Sequence, residues 1–362
     1  MHFHAYCKIT GAFSLPLSSA VLLIFFLGVM VCAPLLVRLA EREGLESVAL
    51  PLAYAGYLWM GFLFLFFTTS VFMDGGRLLF RCSCFLSHVF QLTDRQAFLA
   101  SLCISLGIAV YGFHEAGDIR AEKVVIRTDK LPLSLTRLTI VQISDVHLGL
   151  IVKERRLQAI VRVIENAQPD VLVSTGDLVD GQMDGMETLA AELRKLKPVY
   201  GKFAVTGNHE YYAGIEKSLE FTRLAGFSVL RGESHDVGGV LTIVGVEDPA
   251  GGRIGIRSRG EKDILEKIPR NSFTLLLKHR PVVGKESVGL FDLQLSGHVH
   301  KGQIFPFGLV TRLVYPVATG LSHWGATALY VSRGTGTWGP PIRFLASPEV
   351  TVIELVRDGH GK

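Results

Sequence analysis

The first third of the chain is dominated by long apolar runs. Residues 11–37 and 47–73 each contain no charged side chain. Both exceed the roughly 20 residues that a helix needs to cross a hydrocarbon core of about 30 Å. A third uncharged run, 97–113, is shorter but rich in Leu, Ile and Ala. The pattern predicts about three transmembrane helices. Because the first run is too long for a cleavable signal peptide and a second follows it directly, we expect them to act as an anchor.

The stretch 78–92 is also apolar, but it contains Arg81 and His88 and is too short to cross. It predicts a helix that lies in the membrane interface. No ionisable residue falls inside the three runs, which argues against a transport or proton-relay role. The basic residues flanking the runs favour a cytoplasmic N-terminus, and three crossings then place the large domain on the extracytoplasmic side. These residues are Lys8, Arg77, Arg81 and Arg95 on one side, and Arg38 and Arg42 on the other.

After a charged connector at 115–130, short buried runs alternate with amphipathic segments. This alternation indicates an α/β domain whose site lies at the ends of the strands. Four later apolar runs with fewer helices between them favour a second sheet. The division expected is a transmembrane anchor region at 1–118 and a catalytic domain at 119–362. The predicted strands are 138–143, 171–174, 203–206, 240–246, 273–277, 293–296 and 350–355, and the predicted helices are 155–167 and 186–196.

Composition narrows the classes of function. Of 362 residues, 49% are hydrophobic, and the excess is concentrated in the N-terminal runs. The net charge of +4 is spread along the chain without a basic stripe, so we expect no nucleic-acid partner. All five cysteines precede residue 104, which excludes a cysteine metal site in the large domain. Cys82 and Cys84 lack a second pair, and we interpret them as ordinary thiols.

Polar groups follow the predicted strands of the large domain. Carboxylate, imidazole and amide oxygen without thiolate suit divalent ions such as Mn, Fe, Zn or Ni, and the mixture does not distinguish among them. Residues two apart point the same way on an extended chain, so Asp145 with His147, and His298 with His300, would each reach one centre. The candidates are Asp145 and His147 in SDVH, Asp177 in TGDLVD, Asn208 and His209 in TGNHE, His279 in LKHRP, and His298 and His300 in SGHVH.

In their order, the motifs D-x-H, G-D, G-N-H-E, H and G-H-x-H resemble those of the calcineurin-like metallophosphoesterase superfamily. The resemblance covers about 136–355 and implies two mixed β-sheets in a sandwich flanked by helices. The late segment LYVSRGTGTWGPPIRFLASPEV resembles a membrane-associated bacterial branch that includes UDP-2,3-diacylglucosamine hydrolases and related phosphodiesterases.

The resemblance also implies two divalent metal ions and a role for each candidate residue. His209 would protonate the leaving oxygen or stabilise charge on the phosphoryl group. Two cations roughly 3.5 to 4 Å apart can activate water and stabilise an in-line displacement at phosphorus. By the family pattern, Asp145, His147 and His300 would hold one ion, Asn208, His279 and His298 the other, and Asp177 would bridge them.

The family's protein phosphatases usually carry Asp-Arg after the second motif, whereas here Asp180 is followed by Gly181. We therefore expect a hydrolase of phosphodiester or pyrophosphate bonds in the bacterial cytoplasmic membrane, acting on substrates presented there, such as lipid-linked ones. Two alternatives remain: a tethered phosphodiesterase of soluble substrates, and a metal-binding scaffold without turnover.

Overall fold

The computed structural model describes residues 1–82, 92–181, 185–256 and 258–358. The chain forms two compact units. The first comprises Met1–Glu115 with Gly339–Phe344, and the second Ala116–Trp338 with Leu345–Lys362. The division expected after residue 118 stays a prediction.

The first unit contains four helices within the described residues: α1 (His2–Ala12), α2 (Leu17–Arg42), α3 (Glu46–Cys82) and α4 (Asp94–Glu115). Of these, α2, α3 and α4 are long and apolar enough to cross a membrane. The prediction of three such helices from the apolar runs is therefore confirmed. Helix α1 was not predicted.

The interfacial helix predicted at 78–92 needs a correction. Helix α3 continues without interruption to Cys82, so 78–82 extend that helix and do not begin a separate one. No proline interrupts the chain between Met73 and Cys82, so nothing there forces the helical hydrogen bonding to stop. The rest of the stretch, with Cys84, lies outside the described residues. Cys7, Cys32, Cys82 and Cys103 are free, exposed thiols.

The late segment Gly339–Phe344 packs among the N-terminal helices. The Arg343 amide donates a hydrogen bond to the Gly112 carbonyl at 2.9 Å. A Cβ on Gly112 would lie 2.7 Å from the Arg343 carbonyl oxygen, and one on Gly61 would lie 2.9 Å from Ile342 Cδ1. Glycines on α3 and α4 therefore permit an approach that a larger residue would block.

The second unit contains two six-stranded mixed sheets, ordered β1-β12-β2-β3-β4-β5 and β10-β11-β9-β8-β7-β6. Strands β2 to β5 run parallel, as do β7, β8, β9 and β11. The strands are β1 (Arg120–Thr128), β2 (Arg137–Ile143), β3 (Val171–Ser174), β4 (Lys202–Ala204), β5 (Ser228–Val229), β6 (Glu233–Val237), β7 (Leu241–Gly245), β8 (Thr274–Leu277), β9 (Leu293–Ser296), β10 (Gly320–Trp324), β11 (Thr327–Val331) and β12 (Glu349–Arg357). The helices are α5 (Glu154–Ala167), α6 (Glu187–Lys195), α7 (Asn208–Ala213), α8 (Ile215–Leu224), α9 (Glu261–Leu265) and α10 (Phe307–Val314).

The main core of this unit lies between the sheets. Ile140 and Val173 of one sheet share a buried cluster with Leu275 and Leu293 of the other. The outer face of the first sheet is covered by α5, α6 and α8, and that of the second by α9. Strands that are apolar on both faces are typical of sheets buried on both sides. The predicted class, two mixed sheets flanked by helices, is confirmed.

The charged connector predicted at 115–130 is wrong, because residues 120–128 form the edge strand β1, parallel to β12. Charged residues in β1 obscure the alternation of half-buried and exposed positions in the sequence. Glu122, Val124 and Ile126 are half-buried, whereas Lys123 and Arg127 are exposed. An edge strand pairs on one side only and tolerates charged residues on its solvent face, so it lacks the continuous apolar run of a central strand.

Candidate metal centre

The candidate ligands lie beyond the carboxyl ends of parallel strands, where the two sheets deliver them to one place. Asp145 and Asp177 follow β2 and β3, Asn208 follows β4, and His279 and His298 follow β8 and β9. All but His298 are buried, and His298 is half-buried. Polar groups concentrated in a buried position need partners, and a metal ion is one such partner.

Three overlapping groups of side chains could each hold an ion. They are Asp145 with His147 and His300, His147 with Asp177 and His209, and Asp177 with His279 and His298. The ring nitrogens of His147 and His300 are 3.1 Å apart, as are those of His279 and His298. His147 and Asp177 each belong to two groups. The donors therefore form one continuous cluster.

The two pairs expected from an extended backbone have different outcomes: Asp145 and His147 do share one group, whereas His298 and His300 do not, and the backbone at all four is not extended. Asp145, His147, Asp177, His298 and His300 all have positive φ, between 47° and 73°. Side chains two residues apart therefore need not point the same way, and His298 and His300 fall in different groups. Non-glycine residues rarely adopt this conformation, and it costs free energy that surrounding structure must offset. Five residues of one cluster adopt this unfavourable backbone conformation. The fold therefore accepts a cost in backbone free energy in order to direct their side chains to one place.

Two glycines let the loops approach closely. A Cβ on Gly297 would lie 1.9 Å from Ser144 Oγ and 2.1 Å from Asp145 Oδ2. One on Gly207 would lie 2.2 Å from Asp177 Oδ1. A side chain at either position would therefore force the loops apart.

His279 and Asp177 are in direct contact within this cluster. The His279 Nδ1–H donates to the Thr175 carbonyl at 2.9 Å, and Nε2 lies 3.1 Å from Asp177 Oδ2. Burial opposes a proton on the ring, but the negative charge of Asp177 outweighs it and raises the pKa of His279 to about 10. Burial and the neighbouring charge of His279 lower the pKa of His298 to about 3. In the protein without metal, a proton on His279 therefore supplies the positive charge that a bound cation would otherwise supply.

His209 is held from both sides. Its backbone amide donates to Asp177 Oδ1, and its Nδ1 is paired with Asp180 Oδ1, both at 2.8 Å. Burial opposes protonation, but the hydrogen bond with Asp180 and the charge of Asp177 outweigh it and raise the pKa of His209 to about 9. With Nδ1 engaged, Nε2 is the nitrogen left to face a substrate or a metal ion.

Glu210 lies outside the set of candidate residues drawn from the sequence. Its carboxylate accepts hydrogen bonds from the amides of Gly207, Asp177 and Leu178 at 2.6, 3.0 and 2.7 Å. Burial, followed by the charge of Asp177, raises its pKa to about 7. It therefore caps α7 and also fixes the backbone that carries Asp177. A glutamate three residues after the cap position is the sequence signal for this arrangement.

The donor set fits divalent cations. Asn208 Oδ1 is buried and has no hydrogen-bond partner among the described residues. A buried acceptor without a partner is costly, and a metal ion removes that cost. Oxygen and imidazole donors without thiolate match the same class of ion.

The model of the calcineurin-like phosphoesterase family matches residues 138–302. An uncharacterized metallophosphoesterase of Aquifex aeolicus (strain VF5) is 41% identical over 260 residues, which cover 71% of this chain and 99% of that protein. The chain belongs to the metallophosphoesterase family. As a metallophosphoesterase it is a metal-dependent hydrolase of phosphoesters, which confirms the resemblance at this level.

Relatives of this metallophosphoesterase extend beyond bacteria. A Danio rerio protein, "Transmembrane protein with metallophosphoesterase domain", is 33% identical over 309 residues, covering 81% of this chain and 70% of that one. Among solved structures, a 5′-nucleotidase precursor from Thermus thermophilus has a TM-score of 0.37 and 15% identity, covering 61% of this chain and 54% of that one. That likeness is too weak to inform on substrate. Membership of the narrower bacterial branch stays a prediction.

Proposed function

We propose that the protein is a membrane-anchored, dinuclear metal-dependent phosphodiesterase or pyrophosphatase. The observation that supports the proposal is that Asp177 belongs to two groups of possible ligands, one with His147 and His209 and one with His279 and His298. One carboxylate would therefore be within reach of two ions. Asp145, His147 and His300 would hold one ion. Asn208, His279 and His298 would hold the other, with Asp177 bridging.

When bound, such a pair of cations lowers the pKa of a water molecule and offsets the charge that develops on a phosphoryl group. The chain's own residues supply the rest. Asp180 accepts the Nδ1 proton of His209 and orients the ring, so that the Nε2 proton is available to a leaving oxygen. Glu210 holds the backbone amides around Asp177 and so fixes the position of that carboxylate.

The metal group that includes His209 permits a second role for this residue. His209 lies close enough to His147 and Asp177 to act as a ligand. Because Asp180 already engages one ring nitrogen, ligation and proton donation would compete for the other. We assign proton donation, as the family resemblance implies. Metal content in His209→Ala distinguishes the two roles. If His209 is a proton donor, the variant keeps its metal, and if His209 is a metal ligand, the variant loses metal.

We propose lipid-linked phosphodiesters or pyrophosphates as substrates, such as UDP-linked diacylglucosamine, in the bacterial cytoplasmic membrane. Three apolar helices support the membrane setting, and Gly181 after Asp180 disfavours a protein phosphatase. The basic residues beside the apolar runs favour an extracytoplasmic catalytic domain. The alternatives are a tethered phosphodiesterase of soluble substrates and a catalytically inactive scaffold.

The test is hydrolysis by full-length protein supplied with Mn, using bis-p-nitrophenyl phosphate, p-nitrophenyl phosphate and UDP-linked diacylglucosamine. Asp177→Ala removes the shared carboxylate. Asp236→Ala is the matched control, because Asp236 is exposed and, within the described part of the chain, accepts hydrogen bonds from the Gly239 amide in a turn.

We expect Asp236→Ala to retain activity and Asp177→Ala to lose it on every substrate. Preference for the lipid-linked compound supports a role in lipid metabolism. Activity on small diesters alone supports the tethered general phosphodiesterase. If the wild type is no faster than Asp177→Ala on any substrate, the result would support the alternative of a metal-binding scaffold without turnover.

A further inference from the structure

Helix α10 turns its apolar side chains outward. No residue in it is buried, and Leu309, Val310, Leu313 and Val314 are 54%, 51%, 86% and 69% exposed. Phe305, just before the helix, is 40% exposed. A helix on a soluble domain normally buries its apolar stripe, and contiguous apolar surface that stays exposed marks an interaction site.

The sequence on either side of α10 contains basic residues but no acidic ones. From residue 293 to residue 348 the sequence has no Asp or Glu. Arg312 is exposed in the last turn of α10, and Lys301 precedes the helix. Arg333, in the same stretch, is instead paired with Glu122 at 2.8 Å. Cationic residues beside an apolar helix complement a surface that is apolar inside and anionic at its boundary.

The helix is fixed to the metal centre at both ends. Before it, a Cβ on Gly302, two residues after the ligand His300, would lie 2.2 Å from the Gly308 amide nitrogen. After it, the ring of Tyr315 lies 5.5 Å from that of His298 in an edge-on arrangement. Whatever covers α10 therefore lies next to the cluster of ligands.

The loop before α10 is also tied to an aromatic residue beside His209. Gln303 donates to the Trp338 carbonyl at 2.8 Å and accepts from the Trp338 amide at 2.9 Å. The Trp338 ring lies 6.1 Å from that of His209 and is 52% exposed. Exposed tryptophan is typical of groups that sit at the level of lipid headgroups.

We propose that α10 is a membrane-docking helix, which inserts its apolar face into the headgroup region of an anionic bilayer. A short apolar helix with cations and no acidic residue in the flanking sequence is the pattern of an interfacial helix. The same chain contains three helices apolar enough to cross a membrane, so a bilayer is available to it. Docking would hold the metal centre against the surface that carries lipid phosphoesters. The inference does not depend on turnover or on which substrate is cleaved.

The test uses full-length protein in lipid nanodiscs, one copy per disc, containing anionic lipid. The native cysteines are replaced by Ser, and a single Leu313→Cys is labelled with an environment-sensitive fluorophore. Leu133→Cys is the matched control. Leu133 and Leu313 are both leucines at 86% exposure in the second unit, but Leu133 lies in the loop between β1 and β2.

We expect lipids with a spin label near the headgroup to quench the probe at 313 by about twofold or more, and aqueous iodide to quench it weakly. The probe at 133 should be quenched strongly by iodide and weakly by the spin-labelled lipid. Metal content and hydrolysis of bis-p-nitrophenyl phosphate, measured on both labelled proteins, serve as folding controls. The experiment is repeated with Asp177→Ala, where the same quenching is expected because docking needs no catalysis.

Equal iodide quenching at 313 and 133 without lipid quenching would overturn the proposal. Protection of 313 from both quenchers would also overturn it, since another polypeptide segment would then cover α10. If the unlabelled wild-type protein hydrolyses no phosphodiester while lipid still quenches the probe at 313, the proposed function fails and the docking helix stands.

Discussion

Asp180→Asn is the sharpest test of how His209 acts. The Asp180 carboxylate lies 2.8 Å from His209 Nδ1, and its side chain is 35% exposed. A hydrogen bond between charged groups contributes about 1.5–3 kcal/mol, and solvent exposure of Asp180 favours the lower part of that range. At roughly 1.4 kcal/mol per factor of ten, we expect kcat to fall about 10- to 30-fold.

The loss should depend on the leaving group. A nitrophenolate leaves without a proton, whereas an alkoxide needs one, so an orienting partner for the acid matters more for an alkyl diester. We therefore expect a small loss with bis-p-nitrophenyl phosphate and the full loss with an alkyl phosphodiester.

The pH dependence should change in a defined direction. Asp180 helps to raise the pKa of His209 to about 9, so the protonated acid persists into the alkaline range. Cations at the site would offset the charge of Asp177, but the hydrogen bond that His209 donates to Asp180 would remain. In Asp180→Asn the pKa of His209 falls, and the alkaline limb of the kcat profile should move to lower pH.

The assay is a pH–rate profile on both substrates, with metal content measured by mass spectrometry, because Asp180 Oδ2 also lies 3.8 Å from His147 Nδ1. A loss that is equal on both leaving groups, at full metal content, would refute proton donation by His209. An unchanged alkaline limb would refute the orienting role of Asp180.

Two further predictions concern the assembly of the site. Gly297→Ala should destabilise the fold by about 1–3 kcal/mol or more and reduce bound metal, because its Cβ would overlap Ser144 Oγ. Thermal melts beside Gly252→Ala, where a Cβ would meet nothing within 4 Å, check this, and equal melting temperatures would contradict it. Metal binding should release a proton from His279, whose pKa is raised to about 10 because Asp177 outweighs burial, so affinity should rise about tenfold per pH unit between 7 and 9. Calorimetric heats that do not depend on the buffer's ionisation enthalpy would exclude that release.

Much of the catalytic fold could be predicted from local patterns. The strand β3 lies where its buried run predicts it, and α5 begins one residue before its predicted start. Both elements are apolar in a regular period. By contrast, β5 has two residues and β6 is mostly exposed, so neither produces a run that stands out from a loop. Short or edge strands are specified by their neighbours, and a sequence pattern cannot identify them.

The candidate site shows the same division. Residue type and order place Asp145 and Asp177 near one another, because they follow neighbouring parallel strands, which end at the same edge of a sheet. The split of His298 and His300 between two groups could not be predicted, since it depends on positive φ values that non-glycine residues rarely adopt. The position of Asp180 in the second motif suggests that it supports a ligand, but its partner, His209, becomes visible only when the loops are brought together.

The packing of Gly339–Phe344 among the N-terminal helices limits how far this protein can be treated as separable modules. A shortened protein that begins at Thr128 lacks nearly all of β1 and every helix that surrounds Ile342, which is 1% exposed in the whole chain. If this shortened protein were inactive, the cause could be misfolding of Gly339–Phe344. Its inactivity would therefore not show that the enzyme depends on lipid. For the same reason, the N-terminal helices cannot be exchanged for an unrelated helix without redesigning Gly339–Phe344, which lies far along the chain from them.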